Sequence, residues 1–231
     1  MKNSKKLLLG ISASLVLFSA VPGRAAATSA EQWLTHYYQN PQPEQFVPAI
    51  FDLSHAGFFE QPGHVSLAIG FIAGVMTQNP DQIDQWLLFS RALPPAHQRL
   101  MVSALWYSGH PKGAAYLRAH ARGVSPQLRA EIEQLLASGP ALRDAPVLSA
   151  SSLNLQWGAF LATGESQHVM NVLAALGSSD PGLSSAVRLA LAEKAATHEK
   201  VQAICAEQLA RQPEGVRDQL RAAMNDAKFR P

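Results

Sequence analysis

Apolar residues recur at helical spacing through most of this chain, and no stretch alternates apolar and polar positions with period two. Ser29 and Gln32 have the spacing of a capping box, and Trp33 and Tyr37 behind them share one face at i, i+4. Phe46, Ile50 and Leu53 mark a second helix, opened by Pro43 and stopped by Gly57, with Pro48 as its weak point. A third helix is predicted over about residues 64–78. Asn79-Pro80 caps and opens a fourth, whose buried face is Ile83, Trp86 and Leu87, and Pro94-Pro95 ends it. Further helices are predicted over 96–108, 111–122, 126–138, 152–163, 166–176, 181–196, 199–211 and 214–227. The pattern therefore predicts an all-α fold without a sheet.

The stops are regularly spaced. A turn residue and a following proline lie 17 residues apart four times: Gln78 to Pro95, Gly109 to Pro126, Gly164 to Pro181, and Ala196 to Pro213. The fifth and ninth positions after the turn are Ile83 and Leu87, Val169 and Leu173, and Val201 and Cys205, all apolar. In the second unit they are Ala114 and Arg118, so Arg118 breaks the pattern. Successive prolines are 31, 55 and 32 residues apart, and the long interval holds an extra helix and a linker. A period of 31–34 residues with two helices predicts antiparallel hairpins stacked as a short right-handed α-solenoid, because no pair buries its own apolar face. The competing expectation is a bundle whose prolines share a spacing by chance. The expected organisation is hairpins over 28–139, a linker over 140–151 and hairpins over 152–231, all within one continuous domain.

The run Gly109-His110-Pro111-Lys112-Gly113-Ala114 and its continuation resemble the tetratricopeptide repeat. Gly109, Ala114, Ala121 and Pro126 fall where that repeat has its turn glycine, small packing residues and closing proline. Gly164 and Asp180-Pro181 match in the next unit. Arg118 and Arg122 depart from the family, which has large apolar residues there, and the other units lack the turn glycine. The resemblance covers about 130 residues. It implies a concave groove lined by the first helix of each hairpin, with Arg99, Ser103, Trp106, Tyr107 and Asn154 facing it. An arginine beside aromatic rings suits a carboxylate or peptide, because the guanidinium fork binds oxyanions and stacks on rings. The alternative is a core role for Trp106 and a solvated Arg99.

The N-terminus bears on compartment and charge. Met1 to Lys6 is basic, Leu7 to Val21 is an apolar run, and Ala25-Ala26-Ala27 follows Pro22-Gly23-Arg24. This order predicts a secretory signal peptide over 1–27, and hence a periplasmic or secreted protein with no membrane anchor after cleavage. The chain has 19 Lys and Arg against 17 Asp and Glu. Loss of Lys2, Lys5, Lys6 and Arg24 leaves 15 against 17, which weighs against a nucleic-acid partner. The single cysteine, Cys205, shares an apolar face with Val201 and Leu209 and reads as a buried thiol. No cysteine stands at the cleavage site to carry a lipid. Residues 28–90 carry Glu31, Glu44, Asp52, Glu60, Asp81 and Asp84 and no Lys or Arg. Residues 85–130 carry Arg91, Arg99, Lys112, Arg118, Arg122 and Arg129 and no acid. These stretches are either two solvated faces that complement each other, or a dipolar surface for an acidic partner or self-association.

Catalytic signals are sparse. There is no Gly-x-Ser-x-Gly, and none of the eight histidines has ligand spacing, so neither metal nor cofactor is expected. Ser149, Ser151 and Ser152, and Ser178-Ser179, precede helices, where serine caps free N–H groups. Asp81 and Asp84 suit the start of a helix. Gly70 and Gly74 inside an apolar helix predict a close helix crossing. The expectation is an exported, non-catalytic module that binds a protein or peptide, with Arg99, Ser103, Tyr107 and Asn154 as candidate binding residues. One alternative is an all-α periplasmic hydrolase whose site assembles only in the fold. Another is a helical accessory subunit that oligomerises.

Overall fold

The computed structural model describes residues 29–122, 126–138 and 142–228, and the predicted export segment lies outside them. The described residues form α1 (Ser29–His36), α2 (Phe46–His55), α3 (His64–Gln78), α4 (Ile83–Ser90), α5 (Pro95–Tyr107) and α6 (Gly113–His120). They continue with α7 (Pro126–Ser138), α8 (Ala150–Thr163), α9 (Ser166–Ala174), α10 (Pro181–Thr197), α11 (Glu199–Leu209) and α12 (Glu214–Lys228). Short 3-10 turns join several of them, and no strand occurs among the described residues. The fold is all-α.

The spaced prolines mark helix starts. Pro95, Pro126 and Pro181 are the first residues of α5, α7 and α10, where a missing N–H leaves no intrahelical bond unmade. Pro213 directly precedes α12. Pro48 is harmless for the same reason. The 3-10 turn Pro43–Gln45 takes up the start of the segment, so Pro48 falls in the first turn of α2. Gly57, Gly109 and Gly164 end helices with φ of 70°, 72° and 66°, in the left-handed region that glycine enters without strain.

Three local expectations are corrected. α1 includes Ser29 rather than starting behind it. Asn79 does not cap α4: its Nδ2 donates back to the Val75 carbonyl at 2.8 Å, and the turn Pro80–Gln82 leads into α4 instead. In α6 the buried positions are Gly113 and Leu117, one residue earlier than the repeat pattern predicts, so Arg118 points to solvent and breaks nothing. Gly113 is needed there, because a Cβ would lie 3.0 Å from the Leu105 carbonyl.

α3 is the central helix, packed along α5 on one side and α8 on the other. Its glycines make the close crossing that Gly70 and Gly74 predict. A Cβ on Gly70 would overlap the Leu155 carbonyl, and one on Gly74 would stand 2.7 Å from the Ala162 Cβ. The contact is reciprocal, since a Cβ on Gly158 of α8 would overlap the Leu67 carbonyl of α3. Each helix thus presents a small-x3-small face, Gly70/Gly74 and Gly158/Ala162. The paired positions rise together along the two helices, so these run parallel.

α8 therefore packs on a helix from which α4–α7 separate it in sequence. One hydrophobic core runs from Ala30 in α1 to Ala223 in α12 and includes the fully buried Phe71, Ile72, Phe160 and Val187. Each such side chain contributes roughly 1.5–3 kcal/mol of burial. Trp106, Leu117 and Ile132 form a satellite cluster where α5, α6 and α7 meet. The segment predicted as a linker is packed where it is described. Leu142 and Val147 are buried, and Gln156 Nε2 donates to the carbonyls of Leu142 (2.9 Å) and Ala145 (2.8 Å). Asn171 Nδ2 holds the Arg143 carbonyl at 2.7 Å.

Candidate functional site

Arg99, Ser103 and Tyr107 follow one another at i, i+4, i+8 on α5 and so share a face. Arg99 is exposed and Ser103 half-buried. Tyr107 is half-buried between the main core and the satellite cluster, and burial raises its phenol above the ordinary range. Trp106 is in the core, as its alternative reading has it. Asn154 lies on α8, with α3 between it and α5, and its Nδ2 donates to the Gly63 carbonyl at 3.3 Å. Three of the four candidates therefore share a helix face, and the fourth closes a helix junction.

A polar relay escaped the sequence reading. Ser54 on α2, Glu60 in the turn Phe58–Glu60 and His97 on α5 meet in space. A carboxylate only accepts, so His97 Nε2–H donates to Glu60 Oε1 (2.9 Å). Nδ1 then accepts from the Ser54 hydroxyl (2.7 Å). The residues match a hydrolase triad, but the layout is reversed. Acyl transfer needs an open serine and a sheltered acid. Here Ser54 is buried, and the Glu60 side chain is 59% exposed. The nearby N–H groups of Ala56 and Gly57 are already bonded to the Asp52 and Ser54 carbonyls. Those two N–H groups are therefore not available to an oxyanion. The relay pins α2 to α5. Its three members lie on three elements, so no local spacing announced it.

Beside this pin is an apolar face. Phe46 stacks on Trp86 with ring centroids 4.2 Å apart. Val47, Ile50, Phe51, Phe89, Leu93 and Met101 line a shallow groove over them, between α2, α4 and α5. Phe89 is 44% exposed, and its neighbour Leu88 is 59% exposed. Glu44, in the turn before α2, and Asp52 on α2 are exposed. A second groove of about 560 Å³ between α10 and α12 is wide open, lined by Ser178, Ser179, Ser185, Arg188 and Asp218 among others. Its Arg188 is paired with Asp226.

The acidic and basic stretches meet in the ion pair of Asp84 and Lys112. Lys112 Nζ lies 2.8 Å from both Asp84 oxygens, joining α6 to α4. That bond lowers the Asp84 carboxyl and raises the Lys112 ammonium from their ordinary values. His198 is strongly perturbed. It is buried where α11 begins, under Tyr38, whose hydroxyl lies 3.3 Å from Nδ1. Burial first, then Lys194 and His36, push its pKa down to about 4. Burial likewise lowers His168, whose Nδ1–H donates to Gln156 Oε1 at 2.7 Å. Cys205 is a free buried thiol. Among the described residues no three His, Cys, Asp or Glu side chains group as metal ligands. None of the described helices is long and apolar enough to cross a membrane.

No protein-family model, curated protein or solved structure matches the chain. The tetratricopeptide resemblance rests on the residues quoted for it.

Proposed function

We propose that this protein is an exported, non-catalytic helical module that binds a protein or peptide through its α2–α4 face. Support comes from one observation above all. Leu88 and Phe89 are consecutive exposed residues of α4, and Phe89 borders a groove whose other lining residues, Ser90 apart, are apolar. Large apolar side chains clustered on a surface are the usual mark of an interaction site, because a partner removes them from water. The acidic rim supplies the polar border that such sites have. The α5 row of Arg99, Ser103 and Tyr107 is the second place a partner could bind.

The test is affinity capture from a periplasmic extract at low and high salt. The bait is the protein, its Leu88→Asn/Phe89→Asn variant, or its Arg99→Ala variant. One stoichiometric partner retained by the parent and lost by the α4 variant supports the proposal, provided both melt alike. Loss only with Arg99→Ala moves the site to α5. Capture of nothing by the parent at either salt counts against an interaction module.

A further inference from the structure

Two rows of apolar side chains border the groove. Val47 and Phe51 stand at i, i+4 on α2, and opposite them are Phe89 of α4 and the buried Leu93 in the turn after it. Ile50 and Trp86 lie between them. A groove between two neighbouring helices accepts the ridge of a third helix, with its own apolar residues at i, i+4 and i+7.

The charges around the groove select the kind of helix. Residues 28–90 contain no Lys or Arg. Glu44, in the turn that leads into α2, and Asp52, next to Phe51 on α2, are exposed, and among the described residues neither has a cation within 4 Å. Asp84 is held by Lys112 and Glu60 by His97, so these two offer less. Arg91 follows directly after α4 and is exposed. An incoming lysine or arginine meets open carboxylates, whereas an acidic helix is repelled by them.

We infer that the occupant of the α2–α4 face is a cationic amphipathic helix of a protein partner. This rests on the docking role proposed above. The groove is shallow, and its α2 row, Val47 to Phe51, covers about one helical turn, roughly 6 Å. A helix of about 18 residues is roughly 27 Å long and reaches beyond the face at both ends.

The experiment titrates three synthetic peptides of about 18 residues into the protein and follows binding by calorimetry. One is a Leu/Lys amphipathic helix, one its Leu/Glu counterpart, and one a scrambled Leu/Lys sequence of the same composition. The Leu/Lys helix is expected to bind at least tenfold more tightly than either other peptide. Leu88→Asn/Phe89→Asn should weaken it tenfold or more, and Glu44→Lys/Asp52→Lys should weaken it several-fold and flatten its salt dependence. Equal binding of the scrambled peptide overturns the helix, since charge alone then suffices. Tight binding of the Leu/Glu helix that Leu88→Asn/Phe89→Asn abolishes overturns the cationic occupant and leaves the face standing. Peptide binding indifferent to Leu88→Asn/Phe89→Asn, or no binding, overturns the docking face itself.

Discussion

A side chain on Gly158 would occupy the place of the Leu67 carbonyl oxygen. The clash is with backbone, so no rotamer change relieves it and α3 and α8 would have to separate. Gly158→Ala should therefore destabilise by at least about 3 kcal/mol, despite the roughly 1 kcal/mol of helix propensity that alanine adds. Gly215→Ala is the control, because nothing lies within 4 Å of its Cβ position in α12. It should be neutral or stabilise by up to about 1 kcal/mol. Urea denaturation of both variants decides, and a Gly158→Ala protein as stable as the parent would sink the close crossing.

Ser54, His97 and Glu60 should behave as a pin and not as a nucleophile. Ser54→Ala leaves the buried Nδ1 of His97 without its donor, at a cost of about 1–3 kcal/mol. Glu60→Gln keeps an acceptor for Nε2–H on an exposed side chain, and its effect should stay below about 1 kcal/mol. A serine-directed fluorophosphonate should leave the folded protein unlabelled. Labelling that disappears in Ser54→Ala would reinstate the hydrolase reading.

Stability should fall as the solution becomes acidic. In the unfolded chain His198 titrates near the ordinary histidine value, about 6.5, and in the fold at about 4. Between these values the unfolded chain holds more protons, so each step down in pH favours unfolding. The full contribution is present above about pH 6.5 and declines towards pH 4, by up to about 3 kcal/mol. His168 shifts in the same direction and adds to the slope. Denaturation free energies measured from pH 4 to 7 should show a shallower slope for His198→Gln. An unchanged slope would mean that the ring titrates in the fold as it does in water.

Cys205 should be inert in the native protein. Burial holds its thiol up to about 11, so little thiolate exists at neutral pH, and the sulfur is shielded from reagents. Ellman's reagent should react only as the chain opens, with a rate that follows added urea. Immediate reaction in buffer would show that α11 does not cover the thiol.

What the sequence made legible was local. Pro95, Pro126 and Pro181 open helices, and Gly57, Gly109 and Gly164 close them, because each acts through its own backbone geometry. The Gly70/Gly74 face could be read because two mid-helix glycines need a packing reason. Its partner could not, since nothing near Gly158 states that α8 returns to α3 instead of continuing from α7. The one-residue error in α6 has a similar origin: Gly113 is buried by the fit of its backbone against α5, and a search for apolar side chains passes over it. The Ser54–His97–Glu60 pin and the exposed Leu88 and Phe89 depend on which helix faces are left uncovered, and tertiary packing alone decides that.

The pairing of α3 with α8 also sets the order in which this chain can acquire its structure. Loop closure over four intervening helices is slow beside the formation of any one of them. A chain emerging N-terminus first carries α3 with its glycine face bare until residues 150–163 arrive. Until then the core has no centre. For a polypeptide bound for export, as proposed above, that delay keeps the first two-thirds of the chain threadable until its last third is made.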